Sequence, residues 1–265
     1  MTFDLTNLGT IKQLLQKHNL WAKKAMGQNF LVSDASLQKI VTSADIAPDD
    51  FIIEIGPGLG VLTQELAKKA AKVKSIELDA SLFPLLDETL KSYENIEIVN
   101  ENALDFIPPE TPYKIVANIP YYITSPLINH FLQNAHKPQT ITLLVQKEVA
   151  EKICQLTPDM SVLSLQVALF GHATLMGIVP RHHFHPAPKV DSAILHIAVK
   201  QPSDPDYLST EAALEVLKLA KRAFLSGRKK LSNTLSDLKE KLTELNLADE
   251  RPQHLSIEDW QKLLS

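Results

Sequence analysis

The sequence contains very little cysteine. Its 265 residues include a single one, Cys154. One cysteine excludes an internal disulfide and any zinc site built from several cysteines. Apolar runs are also short, and none approaches the roughly 20 residues that a membrane-spanning helix needs. Residues 1–13 lack the apolar core of a signal peptide. We therefore expect a cytoplasmic protein without a membrane partner. We also expect it to be monomeric.

A large excess of charge is absent too, because the formal net charge is −4. This sum argues weakly against a nucleic-acid partner, but the distribution of charge matters more than the sum. Basic residues crowd into two short segments, residues 12–24 and residues 218–230. Each segment is either a solvated helix face or a surface that contacts phosphates.

Strand-like and helix-like segments alternate from residue 51 to residue 146. This alternation indicates a doubly wound, Rossmann-like α/β sheet with parallel strands. Residues 175–179 and 192–199 are strand-like and would add an antiparallel edge. We predict two domains: residues 1–202, with an N-terminal arm and the α/β catalytic domain, and residues 203–265, a small all-α domain. The predicted buried strands of the parallel part are 51–55, 73–77, 96–99, 113–117 and 140–146.

A glycine-rich turn follows the first buried strand. Gly56, Gly58 and Gly60 precede a predicted helix, and glycine permits both a tight turn and close approach of the backbone to a ligand. Glu77 ends the next strand, about 20 residues later, where it can accept hydrogen bonds from both hydroxyls of a ribose. This context favours a nucleoside ligand over a simple loop.

The glycine spacing distinguishes between nucleoside ligands. It is G-x-G-x-G, whereas dinucleotide sites use G-x-G-x-x-G. Glu54 before the loop would repel a pyrophosphate, but it can accept hydrogen bonds from an ammonium group or its bridging water. We therefore predict S-adenosylmethionine as the cofactor in preference to NAD.

Asn118, Ile119, Pro120 and Tyr121 follow the fourth strand and suit a flat, hydrogen-bonding base. The exocyclic nitrogen of adenine is a poor nucleophile, because its lone pair is delocalised into the ring. The Asn118 oxygen and the Ile119 carbonyl can accept its N–H bonds and favour the pyramidal form that attacks. Stacking on Tyr121 would contribute about 1–3 kcal/mol. Positioning supplies most of the acceleration, so we expect neither a catalytic histidine nor a metal.

Four stretches together resemble a known family. They are residues 27–31 (GQNFL), 54–60 (EIGPGLG), 118–121 (NIPY) and 186–193 (PAPKVDSA). In this order they are similar to the 16S ribosomal RNA adenine dimethyltransferases, over nearly the whole chain. The resemblance implies methyl transfer from S-adenosylmethionine to N6 of two adjacent adenines in a hairpin near the 3′ end of 16S rRNA. The partner would be 16S rRNA in a precursor of the small ribosomal subunit, whose assembly the enzyme would assist.

The resemblance also implies roles for individual residues. The catalytic set is Asn118, Ile119, Pro120, Tyr121 and Phe184. The cofactor-binding set is Gln28, Asn29, Leu31, Glu54, Gly56, Gly58, Glu77, Leu78, Asn102, Ala103 and Asn118. The base must be unpaired or flipped out of its helix, so the basic segments would hold the surrounding RNA. The candidate RNA-binding residues are Lys23, Lys24, Arg222, Arg228, Lys229 and Lys230.

Two of these positions leave alternatives open. The family has Asp where this chain has Asn102, so the bond to the exocyclic amine of the cofactor is not charge-assisted. Affinity would fall by about 1 kcal/mol, unless Glu101 or Asp105 substitutes. Phe184 is expected to form the second wall around the target base, with Tyr122 as its competitor.

Other functions are compatible with parts of the pattern. Methylases of 23S rRNA that confer macrolide resistance share the first three stretches, but residues 223–225 and 228–231 look more like the small-subunit group. A binding protein without catalysis is a different class, and the intact 118–121 stretch argues against it. DNA adenine methylases usually carry a second proline at the position of Ile119.

Overall fold

A mostly parallel seven-stranded sheet lies at the centre of the fold. The structure is a computed structural model that describes residues 3–23, 26–226 and 229–264. The strands are β1 (Phe30–Leu31), β2 (Phe51–Ile55), β3 (Lys72–Glu77), β4 (Ile96–Asn100), β5 (Lys114–Asn118), β6 (Thr140–Gln146), β7 (Gly171–Val179), β8 (Phe184–His185) and β9 (Ser192–Val199).

Helices connect the strands and fill the C-terminal part of the chain. Those before β7 are α1 (Leu8–Lys17), α2 (Asp34–Ser43), α3 (Val61–Ala67), α4 (Phe83–Leu90), α5 (Thr124–Gln133), α6 (Lys147–Cys154) and α7 (Val162–Phe170). Those after β9 are α8 (Thr210–Phe224), α9 (Leu231–Thr234), α10 (Lys239–Glu244) and α11 (Ile257–Leu264).

The strand order of the sheet is β4-β3-β2-β5-β6-β9-β7. Strand β2 pairs in parallel with β3 on one side and with β5 on the other. Strand β9 runs antiparallel to β6, which confirms the predicted antiparallel edge. Strands β2, β3 and β4 follow one another toward one edge of the sheet, whereas β5 and β6 follow toward the other edge. Ligands of such sheets bind at the carboxyl ends of the strands beside the point where this order changes, here between β2 and β5.

Apolar residues of the inner strands form the core. Ile52 of β2 and Val116 of β5 are fully buried, and Ile40 of α2 packs in the same cluster. The sequence of Ser33 and Asp34 predicts a helix from Asp34 to Ala44 with Ser33 as its cap. Helix α2 begins there, because the Ser33 side chain accepts a hydrogen bond from the backbone N–H of Ser36. This core holds the carboxyl ends of β2 to β5 in fixed positions.

Two features were not predicted from the sequence. Helix α6 begins directly after β6, and β1 pairs antiparallel with β8 in a small separate sheet. In that pair Leu31 lies opposite Phe184 and Phe30 opposite His185. The pairing brings the 27–31 stretch next to the loop before the 186–193 stretch.

The chain divides into two compact units, Met1–Ala150 with Thr174–Ala198 and Glu151–Ala173 with Val199–Ser265. Within the second unit, the Lys200 ammonium donates to the carbonyl of Ala168 at 2.8 Å, which joins α7 to the segment after β9. The predicted domain division after residue 202 stays a prediction. Among the described helices, none is both long and apolar enough to cross a membrane.

Candidate active site

A cavity of about 310 Å³ lies in the first unit, at the carboxyl ends of β2, β3 and β5. Its size falls within the range of small-molecule sites. It brings together the first three sequence stretches. The predicted site residues in its wall are Gln28, Asn29, Leu31, Glu54, Gly56, Gly58, Glu77, Leu78, Asn102, Ala103, Asn118, Ile119, Pro120 and Tyr121.

The glycine turn leaves space in this cavity. Gly56 has a φ of +68°, which side chains rarely adopt, and a Cβ atom added there would meet nothing within 4 Å. The Gly56 N–H is bonded to the carbonyl of Ile76 at 2.9 Å. The turn is therefore fixed to β3 while its inner face stays open to a ligand.

Glu54 places a carboxyl group against the cavity. It is 1% exposed, and its Oε2 accepts a hydrogen bond from the Ser75 hydroxyl at 2.7 Å. Its Oε1 makes no hydrogen bond of normal geometry to a described residue, although the Thr63 hydroxyl lies near enough to lower the pKa of Glu54. Burial raises the pKa of Glu54 to about 7. The Oε1 atom at this position suits the ammonium group of an amino-acid ligand.

Glu77 and Leu78 form the neighbouring wall. The Glu77 Oε1 accepts the N–H of Asp79 at 2.7 Å, and Oε2 accepts that of Gly58 at 3.4 Å. Burial raises the pKa of Glu77 above its usual value. Leu78 is 56% exposed although it is apolar, so it offers a surface to a flat ring.

Asn102 is held by its own turn. Its Oδ1 accepts the N–H of Leu104 at 3.1 Å, and its Nδ2 donates to Asp105 at 2.8 Å. An amide oxygen has two lone pairs, so Oδ1 can accept one further bond. The Asp105 carboxylate already accepts the hydrogen bond from Asn102 Nδ2, whereas Glu101 lines the cavity. Glu101 is therefore the better placed of the two alternative acceptors for the exocyclic amine of the cofactor.

Residues 118–121 form the opposite wall. The Asn118 Nδ2 donates to the carbonyl of Asn29 at 3.4 Å, which leaves its oxygen as an acceptor. The Tyr121 hydroxyl pairs with the hydroxyl of Ser192 at 2.7 Å, and burial raises the pKa of Tyr121. Ser192 is fully buried. The sequence places Ser192 in the fourth stretch, but nothing in the pattern indicates that it contacts Tyr121.

The two candidate rings for the second wall differ in exposure. Phe184 is 4% exposed and packs in the core with Leu31 and Ile40. It is not among the described residues that line the cavity. Tyr122 lines the cavity and is 64% exposed. The catalytic role of Phe184 stays a prediction, and in this conformation Tyr122 is the accessible ring.

Several predicted RNA-binding residues have partners within the protein. Lys23 contacts Asp79 at 2.7 Å, in the first unit. In the second unit, Arg222 contacts Asp237 at 2.6 Å and Lys230 contacts Asp249 at 2.8 Å. Lys229 is exposed. Lys24 and Arg228 lie outside the described residues, and the RNA-binding role of all six stays a prediction.

Comparison with known proteins identifies relatives. Residues 19–263 match the sequence model of a family described as ribosomal RNA adenine dimethylase. The chain is similar to a ribosomal RNA small subunit methyltransferase A of Dehalococcoides mccartyi, with 40% identity over 95% of this chain and 90% of that protein. A protein of the same name from Streptococcus pyogenes is 37% identical over 98% of this chain and 94% of that one.

Solved structures agree with this likeness. A dimethyladenosine transferase from Plasmodium falciparum superposes with a TM-score of 0.75 and 27% identity, over 88% of this chain and 95% of that one. The 23S rRNA methyltransferase ErmE superposes with a TM-score of 0.74 and 29% identity, over 89% and 98% of the two chains.

Proposed function

The chain belongs to the ribosomal RNA adenine dimethylase family, and from this we propose that it transfers methyl groups to N6 of two adjacent adenines in small-subunit ribosomal RNA. The product would be N6,N6-dimethyladenosine. One observation carries the proposal: a single cavity joins the glycine turn and Glu77 to Asn118 and Tyr121. A methyl donor and a base can therefore meet there.

The choice of the small subunit rests on the more similar relatives. Proteins named for the small subunit are 37–40% identical to this chain. The large-subunit enzyme ErmE is 29% identical, although it has the same fold. Methylation of 23S rRNA remains the second candidate function.

S-adenosylmethionine would bind in this cavity and would supply an electrophilic methyl group on its sulfonium. Glu54 Oε1, which makes no hydrogen bond of normal geometry to a described residue, would accept a hydrogen bond from the ammonium group. Glu77 would hold the ribose hydroxyls, and Leu78 would pack against the adenine ring. Asn102 Oδ1 would accept the exocyclic amine. Gln28 and Asn29 would enclose the methionine end.

Asn118 and Tyr121 would hold the target adenine. The Asn118 oxygen and the Ile119 carbonyl would accept the two N–H bonds of N6, so that its lone pair faces the methyl group. Tyr121 would stack on the base, and Pro120, with a φ of −57°, fixes the turn between them. No strong general base is needed, because the nitrogen becomes acidic as the new bond forms.

The proposal is tested by incubating the purified protein with labelled S-adenosylmethionine and ribosomal precursors. We expect label in 30S precursors lacking the modification, and N6,N6-dimethyladenosine in the digested 16S rRNA by mass spectrometry. The 50S precursors serve as the matched substrate. Label in large-subunit RNA alone would establish the second candidate function instead.

A further inference from the structure

Asp79 is a buried carboxylate beside the cofactor cavity and does not line it. Its side chain is 5% exposed. Oδ1 accepts hydrogen bonds from the Lys23 ammonium at 2.7 Å and from the Ser81 hydroxyl at 2.6 Å. Oδ2 accepts one from the Gln28 amide at 3.1 Å. Burial raises the pKa of Asp79, but the bonds from Lys23, Ser81 and Gln28 outweigh it and lower the pKa.

These bonds connect two walls of the cavity. On one side, Asp79 follows Leu78, and its backbone N–H donates to Glu77 Oε1 at 2.7 Å. On the other side, Gln28 belongs to the 26–29 segment, whose four residues all line the cavity. The Gln28 side-chain oxygen also accepts the backbone N–H of Lys23 at 2.8 Å. Lys23, Gln28 and Asp79 thus form one closed network, which we call the Asp79 cluster.

We propose that the Asp79 cluster positions the 26–29 segment against the Glu77 wall and so sets the affinity for the cofactor. Asp79 and Lys23 are positioning residues in this view, because they act through Gln28 and Glu77. The inference rests on the proposed function, since it takes the cavity to be the cofactor site. It also gives Lys23 a role different from the predicted contact with RNA.

The charges of the cluster explain why both partners are needed. A buried carboxylate that loses its cation is left uncompensated, which is costly. Asp79 would then take up a proton or draw in water, and either change loosens its bond to Gln28. Lys23 is itself only 31% exposed, so its ammonium is less available to phosphates than that of a fully exposed lysine.

The test measures binding of S-adenosylhomocysteine by calorimetry, without RNA. We expect Lys23→Met and Asp79→Asn to weaken binding by about tenfold, and Lys23→Arg to bind almost as the wild type does. Lys17→Met is the matched control, because it removes an equal charge from the exposed Lys17–Glu88 pair and should leave affinity unchanged.

Hydrogen exchange gives a local readout that a general loss of stability would not produce. The N–H groups of Met26 and Gln28 are bonded to the Lys23 carbonyl at 3.0 and 3.4 Å. In Asp79→Asn these amides should exchange faster, while those of the buried strand β5 keep their wild-type rates.

Two results would overturn the proposal in different ways. If Lys23→Met binds S-adenosylhomocysteine as tightly as Lys17→Met but loses affinity for the ribosomal precursor, then Lys23 is an RNA contact and the cluster has no positioning role. If the wild type binds no S-adenosylhomocysteine, the cofactor assignment fails first, and the cluster's role fails with it.

Discussion

At the scale of single residues, the cavity is lined by two carboxyl groups, those of Glu54 and Glu77, whose burial disfavours the charged form. The pKa of Glu54 is raised to about 7 and that of Glu77 is raised as well, in both cases mainly by burial. Such groups are common at functional sites. They lower the stability of the protein without ligand, and a bound cation or hydrogen-bond donor offsets this cost.

Glu54 therefore predicts opposite pH trends for stability and binding. Its folded-state pKa of about 7 lies above the usual 4.5. The stability it contributes is complete below pH 4.5 and is lost as the pH rises through 7. Binding of S-adenosylhomocysteine, for which the carboxylate form of Glu54 is proposed to be required, should instead strengthen from pH 6 to pH 8, by up to about tenfold per pH unit below the pKa.

The Glu54→Gln variant removes the titration of Glu54 and leaves that of Glu77, so it separates the contributions of the two groups to the pH dependence. The variant should bind S-adenosylhomocysteine weakly at every pH, and without ligand it should melt at a higher temperature than the wild type at pH 8. Calorimetric titrations and thermal unfolding at pH 5, 6, 7 and 8 measure both trends. A wild-type affinity that does not change across this range would show that Glu54 does not meet the ligand's ammonium group.

At the scale of elements, the contact between the turn after β5 and the start of β9 predicts an effect on the rate of catalysis. Tyr121 lies in the short Tyr121–Ile123 turn after β5, and Ser192 begins β9. Their hydroxyls pair at 2.7 Å, so β9 orients the ring on which the base is proposed to stack. Ser192→Ala should lower kcat by about fivefold to tenfold, the equivalent of one hydrogen bond, with little change in cofactor affinity.

A double-mutant cycle distinguishes orientation from packing. Tyr121→Phe should resemble Ser192→Ala, and the double variant should be no slower than either single one, because both remove the same bond. Ser43→Ala removes a similarly buried hydroxyl in α2, bonded to the Lys39 carbonyl, and should leave kcat unchanged. Additive losses in the double variant would show that the two hydroxyls act separately.

The helices and strands also show which parts of the fold could be predicted from the sequence. Elements with a clear apolar pattern or cap were predicted to within a few residues: α2, β2 and β6 begin where expected. The residues of the cavity wall were also predictable, because the glycine spacing, the acid that ends β3 and the 118–121 stretch all mark strand ends. The family resemblance is confirmed by the match over residues 19–263.

Short elements and long-range contacts could not be predicted. Strands β1 and β8 have two residues each, too few to show a period. Helix α6 has eight residues and follows β6 without a turn. The hydrogen bond from Lys23 to Asp79 joins residues 56 positions apart, and no local sequence pattern indicates it. The burial of Phe184 likewise depends on the β1–β8 pair.

At the scale of the whole molecule, a chain of net charge −4 is proposed to bind a polyanion. Local basic groups must then supply the attraction. In the second unit, Arg222 and Asp237 are about half exposed, and such exposed pairs contribute only about 0–1 kcal/mol. Arg222 can therefore exchange Asp237 for a phosphate at little cost, and Lys229, further along the chain in the same unit, is exposed.

These charges predict a specific salt dependence for RNA binding. Arg222→Gln and Lys229→Gln should each weaken binding of the 30S precursor and reduce the slope of log K against log salt by about 1. Affinity for S-adenosylhomocysteine should not change. Lys239→Gln is the matched control, an exposed lysine of α10 in the same unit. If it alters the slope as much as the other two, net charge governs binding, and Arg222 and Lys229 are not specific contacts.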